Sequence, residues 1–170
     1  MKKILLLFIV MSFVTVSFAQ KEKKNGTIYI NHPYIDVVNK SVKAYVNQDL
    51  NLYKTYFADT AKVSVSDVNG GKSFPLKESM NGLALDYKFY TNINSTQVGY
   101  PDYLEYDKDN SHVVQSWWAW SGKSKKTGKV LKINIVQFDW FNSAGKIFKE
   151  DVFADFSKQM AEEGTSQYNN

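Results

Sequence analysis

The sequence predicts an α+β domain, with helices gathered on one face of a bent antiparallel sheet. Three observations predict it. Apolar residues between Tyr34 and Tyr90 recur mainly at helical spacing, whereas those from Tyr103 to Phe156 alternate with polar ones between turn signals. The 170 residues, 44% hydrophobic and 15% aromatic, suffice for one core and are too few for two. No cysteine is present, so packing alone must hold the fold.

The first stretch, MKKILLLFIVMSFVTVSFAQ, sets Lys2 and Lys3 before an apolar run from Ile4 to Phe18, with small residues at Ser17 and Ala19. This is the pattern of a signal peptide over 1–19. The alternative is an uncleaved anchor, but the run is shorter than the roughly 20 residues that a spanning helix needs. The expectation is therefore an exported protein, periplasmic or extracellular, with no membrane attachment once the leader is cut. Residues 20–33 read as a mobile lead-in, 34–164 as the folded domain and 165–170 as a polar tail.

Within the domain, Ile35, Val38, Val42, Tyr45 and Val46 form the apolar stripe of a helix that stops at Asn47-Gln48-Asp49. Asp49 is placed to cap a second, short helix carrying Leu50, Leu52, Tyr53, Tyr56 and Phe57. Ala61 to Asp67 alternates as a half-buried strand and ends at Asn69-Gly70-Gly71. Pro75 can open a third helix with Met80, Leu83, Tyr87 and Tyr90 on its stripe, weakened by Gly82. Tyr103–Tyr106, His112–Ser121, Val130–Phe141 and Ile147–Phe156 then read as strands between DKDN, GKSKKTG and NSAGK turns, before a last helix over Ser157–Glu163.

The formal charge of +4 falls by two when Lys2 and Lys3 leave with the signal peptide, and every basic side chain is lysine. Without the bidentate arginine fork, nucleic acid is not an expected partner. Two separated histidines and no cysteine argue against a metal site. No phosphate-binding glycine loop or G-x-S-x-G elbow is present, and no cofactor is expected. The lysine- and asparagine-rich, arginine-free composition reads as bacterial.

The order of elements carries a resemblance. The segment QDLNLYKTYFADTAKVSV, the turn in FNSAGKIF and the ending EDVFADFSKQMAEEG, in that order across Tyr34 to Gly164, resemble the SnoaL-like branch of the NTF2-like superfamily. The resemblance implies a cone, a curved sheet wrapped around N-terminal helices with a pocket inside. It also permits a test for steroid isomerase chemistry. Aligned through FADTAKV and the G-K-I turn, the isomerase base falls on Val65, its helix tyrosine on Ser41 and its acidic oxyanion donor on Gln137. Neither base nor donors survive, so that reaction is rejected. The family's cyclases use an aspartate near the last strand, and Asp155 is the nearest match; a helix-cap role for Ser157 onward competes with it.

SWWAWSGK places three of the four tryptophans within four positions. On a strand they serve two faces. Under the resemblance, His112, Val114, Ser116, Trp118 and Trp120 look into the cone, together with Ile135, Gln137, Asp139 and Phe141 of the next strand. Trp117, Phe138 and Trp140, with Phe153, form an outer face too apolar to be left in water. A homodimer packed sheet to sheet would cover it; so would the C-terminal segment. GKSKKTGK reads as a solvated hairpin tip.

Tyr45, Ser116, Trp118, Trp120 and Gln137 are thus candidate ligand-binding residues, a mostly apolar lining with a few polar groups. A filled core would use the same aromatics. Asp139 is the candidate base, because burial would raise its pKa towards neutrality, with His112 or Asp155 assisting. A position at the rim would leave it without a role. Three functions follow: a binder of a small apolar or aromatic molecule, an acid–base enzyme of cyclase, dehydratase or isomerase type, or an interaction module using its outer face alone.

Overall fold

The computed structural model describes residues 23–66 and 71–164. The expected signal peptide, the expected Asn69-Gly70 turn and the expected polar tail lie outside the described residues. In chain order the elements are β1 (Gly26–Tyr29), α1 (Pro33–Val46), α2 (Leu50–Lys54), β2 (Phe57–Val65), β3 (Phe74–Pro75), α3 (Leu76–Phe89), β4 (Tyr90–Gln97), β5 (Asp102–Tyr106), β6 (His112–Ser124), β7 (Val130–Phe141), β8 (Ile147–Phe153) and α4 (Ser157–Glu163).

Local chemistry sets the helix ends. His32 caps α1 through its Nδ1, which accepts the Tyr34 N–H at 3.2 Å, and Pro33 costs nothing where the N–H would be orphaned anyway. Gln48 takes a left-handed φ of 61°, and the Gln48 and Asp49 N–H groups close the end of α1 on the Tyr45 and Ala44 carbonyls. The Asp49 carboxylate caps α2 as expected, accepting the Leu52 N–H at 2.8 Å.

The strands form one eight-stranded sheet in the order β1-β5-β6-β7-β8-β2-β3, with β4 beside the second half of β6. β6 is the spine: its first residues pair with β5, its last with β4, and its whole length with β7. β2 joins parallel to β8, so the N-terminal and C-terminal halves close on each other. The mixed α+β architecture with a large curved, unclosed sheet is the predicted fold class. Its concave face holds the core with α1 and α3; Val38, Val114 and Ile147 are wholly buried there, each stabilising by about 1.5–3 kcal/mol.

Four expectations change. The lead-in is not wholly unstructured, because Gly26–Tyr29 pairs antiparallel with β5. Gly26 is needed there: at φ 145° an added Cβ would lie 2.1 Å from the Glu105 carbonyl oxygen. Phe57 leaves α2 and opens β2, which starts four residues earlier than the alternation suggested. Tyr90 is not on the third helix but begins β4, a strand whose YTNINSTQ sequence buries only Tyr90 and Ile93. Finally, β8 ends at Phe153 rather than Phe156.

Candidate functional site: an acidic, aromatic cavity in the cone

Between the concave sheet and the helices lies a cavity of about 160 Å³. α1 supplies Tyr45, α2 Tyr53, β3 Phe74, β6 Trp118 and Trp120, and β7 Ile135 and Gln137. α3 adds Leu83 and Asp86, and β8 adds Glu150 and Val152. β2 adds Val63 and Val65, and the C-terminal segment forms a further wall through Phe156, Gln159, Met160 and Glu163.

A hydrogen-bonded chain crosses one side. The Trp120 Nε1–H donates to the Tyr45 hydroxyl at 2.7 Å, and that hydroxyl donates to Asp86 Oδ2, also at 2.7 Å. Gln159 Nε2 donates to Asp86 Oδ1 at 2.6 Å and so ties α4 to α3. Burial lifts the Asp86 pKa from 3.8 to about 7, the two donors pull against it, and the Glu163 charge adds to the rise. Gly122 makes room for the Trp120 ring, which an added Cβ would meet at 2.7 Å.

A second cluster stands deeper. Asp139 and Glu150 face each other across β7 and β8, and Gln137 Nε2 donates to both oxygens of Asp139, at 3.1 and 2.9 Å, and to Glu150 at 3.3 Å. Burial drives both carboxyls upwards, Asp139 to about 7 and Glu150 well above its ordinary range, with the nearby Asp139 raising Glu150 further. Two carboxyls so placed hold a proton between them.

Trp118, Trp120 and Gln137 line the cavity, in keeping with the alternation of β6 and β7, and Tyr45 lines it from α1. Ser116 does not: it is wholly buried and accepts the Trp118 Nε1–H at 2.9 Å, which fixes that ring. Asp139 is wholly buried, not at the rim, but sits behind Gln137 and does not reach the cavity wall. His112 is elsewhere, because its register partner is Phe141 and its Nδ1 lies 2.6 Å from the Tyr103 hydroxyl. There it joins a ring stack with Tyr103, which His32 covers at 3.6 Å. Asp155 is exposed and accepts the Ser157 N–H at 3.0 Å, closing a local turn just before α4, whose N-cap position is Phe156. The three candidate catalytic residues are therefore not brought together.

The outer sheet face carries half-buried Trp117, Phe138 and Trp140, with Phe153 half exposed. Phe138 and Phe153 meet edge to face at 5.9 Å, and Lys149 lies 4.9 Å over the Trp140 ring. The C-terminal helix does not cover this face. It turns to the cavity instead, and its Glu162 accepts from Ser124 and Thr127 of the lysine-rich hairpin.

Asp86, Glu150, Glu163, Gln159 and Tyr53 were not anticipated as lining residues. Asp86 falls three positions after Leu83, within the stripe of α3, and that spacing was the available signal. Glu150 was masked by a register shift between Trp140 and Phe141, which leaves Phe148 as an extra residue and reverses the alternation after it.

No protein-family model matches the sequence, and neither does any curated protein. Solved structures do match. IdmH, a proposed polyketide cyclase from Streptomyces antibioticus, is 14% identical and superposes with a TM-score of 0.62, covering 79% of this chain and 100% of its own. An NTF2-like protein of unknown function from Exiguobacterium is 14% identical, with a TM-score of 0.54 over 70% of this chain and 98% of its own. A proposed SnoaL-like polyketide cyclase from Shewanella denitrificans is 9% identical, with a TM-score of 0.54 over 78% and 97%. At such identities the likeness is one of fold.

Proposed function

The chain has the NTF2-like cone fold, and on that premise we propose that it is an exported binding protein that holds a small, largely apolar or aromatic molecule in its cone. One observation carries the reading: a cavity of about 160 Å³ walled mainly by aromatic and aliphatic side chains, with a few fixed hydrogen-bonding groups. Its size suits a single ring, since an apolar cavity of about 150 Å³ binds benzene. The Trp120–Tyr45–Asp86–Gln159 chain fixes the polar side, so a ligand would meet oriented partners at little cost in ordering.

Tryptophan fluorescence tests this reading, because Trp118 and Trp120 both line the cavity. Titration with small apolar and aromatic molecules should quench saturably, and Trp118→Phe with Trp120→Phe should lose the signal. A panel without any saturable response would overturn it.

A second reading, acid–base chemistry, is favoured by the Asp139–Glu150 pair. Glu150 reaches the cavity and Asp139 stands behind it, so proton exchange with a substrate would pass through Glu150, with Asp139 as the proton reserve. If the protein turns over a substrate, Asp139→Asn should abolish or sharply shift its pH–rate profile. An unchanged profile in a folded variant would remove Asp139 from the chemistry.

A further inference from the structure

The chain's two histidines meet at one end of the sheet. His32 stands between β1 and α1, and His112 opens β6. Tyr103 of β5 lies between them: the His32 ring stacks on it at 3.6 Å, and its hydroxyl lies 2.6 Å from His112 Nδ1. β1 depends on this junction. It is the outer strand of the sheet, and three of its four residues are exposed. Ile28 and Ile30 face water, so their side chains do little to hold it. Apart from its pairing with β5, the strand is pinned by Tyr29, which donates to Glu105 at 3.3 Å and touches the Tyr103 ring, and by His32 beyond its end.

Histidine in this position is conditional on pH. Nδ1 accepts the Tyr34 N–H only while it carries no proton, because both nitrogens of an imidazolium are donors. A charged ring would also face the positive end of the α1 dipole. The groups around His32 divide. Partial burial opposes a charge most, Glu105 of β5 favours it and a charge on His112 of β6 opposes it, which leaves the His32 pKa below its ordinary 6.5. From β1, α1 and β5 the other titratable side chains against it are Tyr29, Tyr34 and Tyr103, and Asp36 stands in the first turn of α1.

From this geometry we infer that the segment from β1 to His32 is an acid-released strap, tied to α1 and Tyr103 by the neutral His32 ring and untied when that ring takes a proton. Release leaves β5 as the edge of the sheet. The tied strap resists the proton and the free one does not, so the tie is complete above pH 6.5 and weakens as pH falls below it. The device is independent of what the cone holds.

Hydrogen–deuterium exchange of the protein at about pH 7.5 and about pH 5, corrected for the intrinsic pH dependence of amide exchange, reads the strap directly. Peptides covering Gly26 to Tyr34 should lose protection by about fivefold at the lower pH, the effect of losing one helix cap, while those from β6 and β7 keep theirs. His32→Asn caps α1 without titrating, so its strap should be equally protected at both pH values. His32→Ser serves the same purpose if the asparagine variant does not fold. In the parent, nitrogen NMR of the His32 ring should show a bare Nδ1 at the higher pH that gains its proton in the range where protection falls. Unchanged protection in the parent, a loss shared by the whole sheet, or a loss that persists in the folded asparagine or serine variant overturns the inference.

Discussion

Asp86→Asn offers the sharpest test of the cavity's electrostatics, because it changes charge with almost no change of shape. Asp86 is 8% exposed, and both its oxygens accept hydrogen bonds, from Tyr45 and from Gln159. Burial raises its pKa from 3.8 to about 7, and the groups facing it are the Tyr45 hydroxyl from α1, the Gln159 amide and Glu163 from α4, and Tyr87 beside it on α3. Below pH 3.8 the folded and unfolded chains both hold the proton, and burial of the side chain carries no charge penalty. As pH rises towards 7 the unfolded chain gives up its proton first, so stability declines. Above about 7 the full cost is present, about 4 kcal/mol at 1.36 kcal/mol per tenfold change in protonation. Asparagine is neutral throughout. Its oxygen can still accept from Tyr45, and the Gln159 amide can turn to accept from the new amide. Urea unfolding of both proteins from pH 4 to pH 8.5 should therefore give curves that diverge, the variant gaining about 4 kcal/mol on the parent as pH rises. The other buried carboxyls, Asp139, Glu150 and Glu163, are present in both proteins; the first two cancel in the difference, and Glu163, which raises Asp86, is part of the effect measured. Curves that stay parallel to within about 1 kcal/mol would refute the assignment of Asp86 as a buried group that titrates near neutrality.

Other substitutions probe the framework and the outer face. Gly122→Ala drives a methyl to 2.7 Å from the Trp120 ring, which is held on its other side by Tyr45; a cost of about 2 kcal/mol and a Tm lower by about 4–8 °C are expected by calorimetry. Asp49→Ala removes the α2 cap and should destabilise by about 1 kcal/mol in denaturant titration, with no effect on ligand titrations. Trp117→Lys tests the proposed homodimer through the outer sheet face: the parent should elute as a dimer and the variant as a monomer or an aggregate. An unchanged elution volume from a folded variant would exclude that interface.

Much of this arrangement is legible in the chain, and the exceptions have physical causes. Alternation along HVVQSWWAW turned Trp118 and Trp120 inwards and Trp117 outwards, because a long central strand paired along its length admits no slip of phase. β4 leaves no clear pattern in the sequence because one side of YTNINSTQ faces water and only two of its residues are buried, too few to show a period. Glu150 is not legible in the sequence because the bulge at Phe148 moves the inward phase by one residue, and no local signal in KIFKEDVF marks it. Asp86 is hard to read from sequence because a carboxylate in an apolar stripe ordinarily interrupts it; here Tyr45 and Gln159 supply the partners that let it be buried, and they are 41 and 73 residues away. His112 lies at the start of β6, away from the cavity, since alternation reports the side of a strand but not the distance along it.

The parallel pairing of β2 with β8 has a bearing on the order in which the molecule is made. It joins residues near Val63 to residues near Glu150, so this pairing cannot form until the chain has been made at least that far. Contacts so distant in sequence are slow to form, because a long loop must be ordered before they give any return. The helix that completes the cavity wall comes later still. Until Ser157–Glu163 docks, Asp86 lacks Gln159 and the aromatic walls stand open to solvent. The cavity wall is thus complete only when that helix is in place. A chain that has lost its final turn of helix would keep a recognisable sheet and have no chamber, which makes binding a more demanding measure of complete folding than secondary structure.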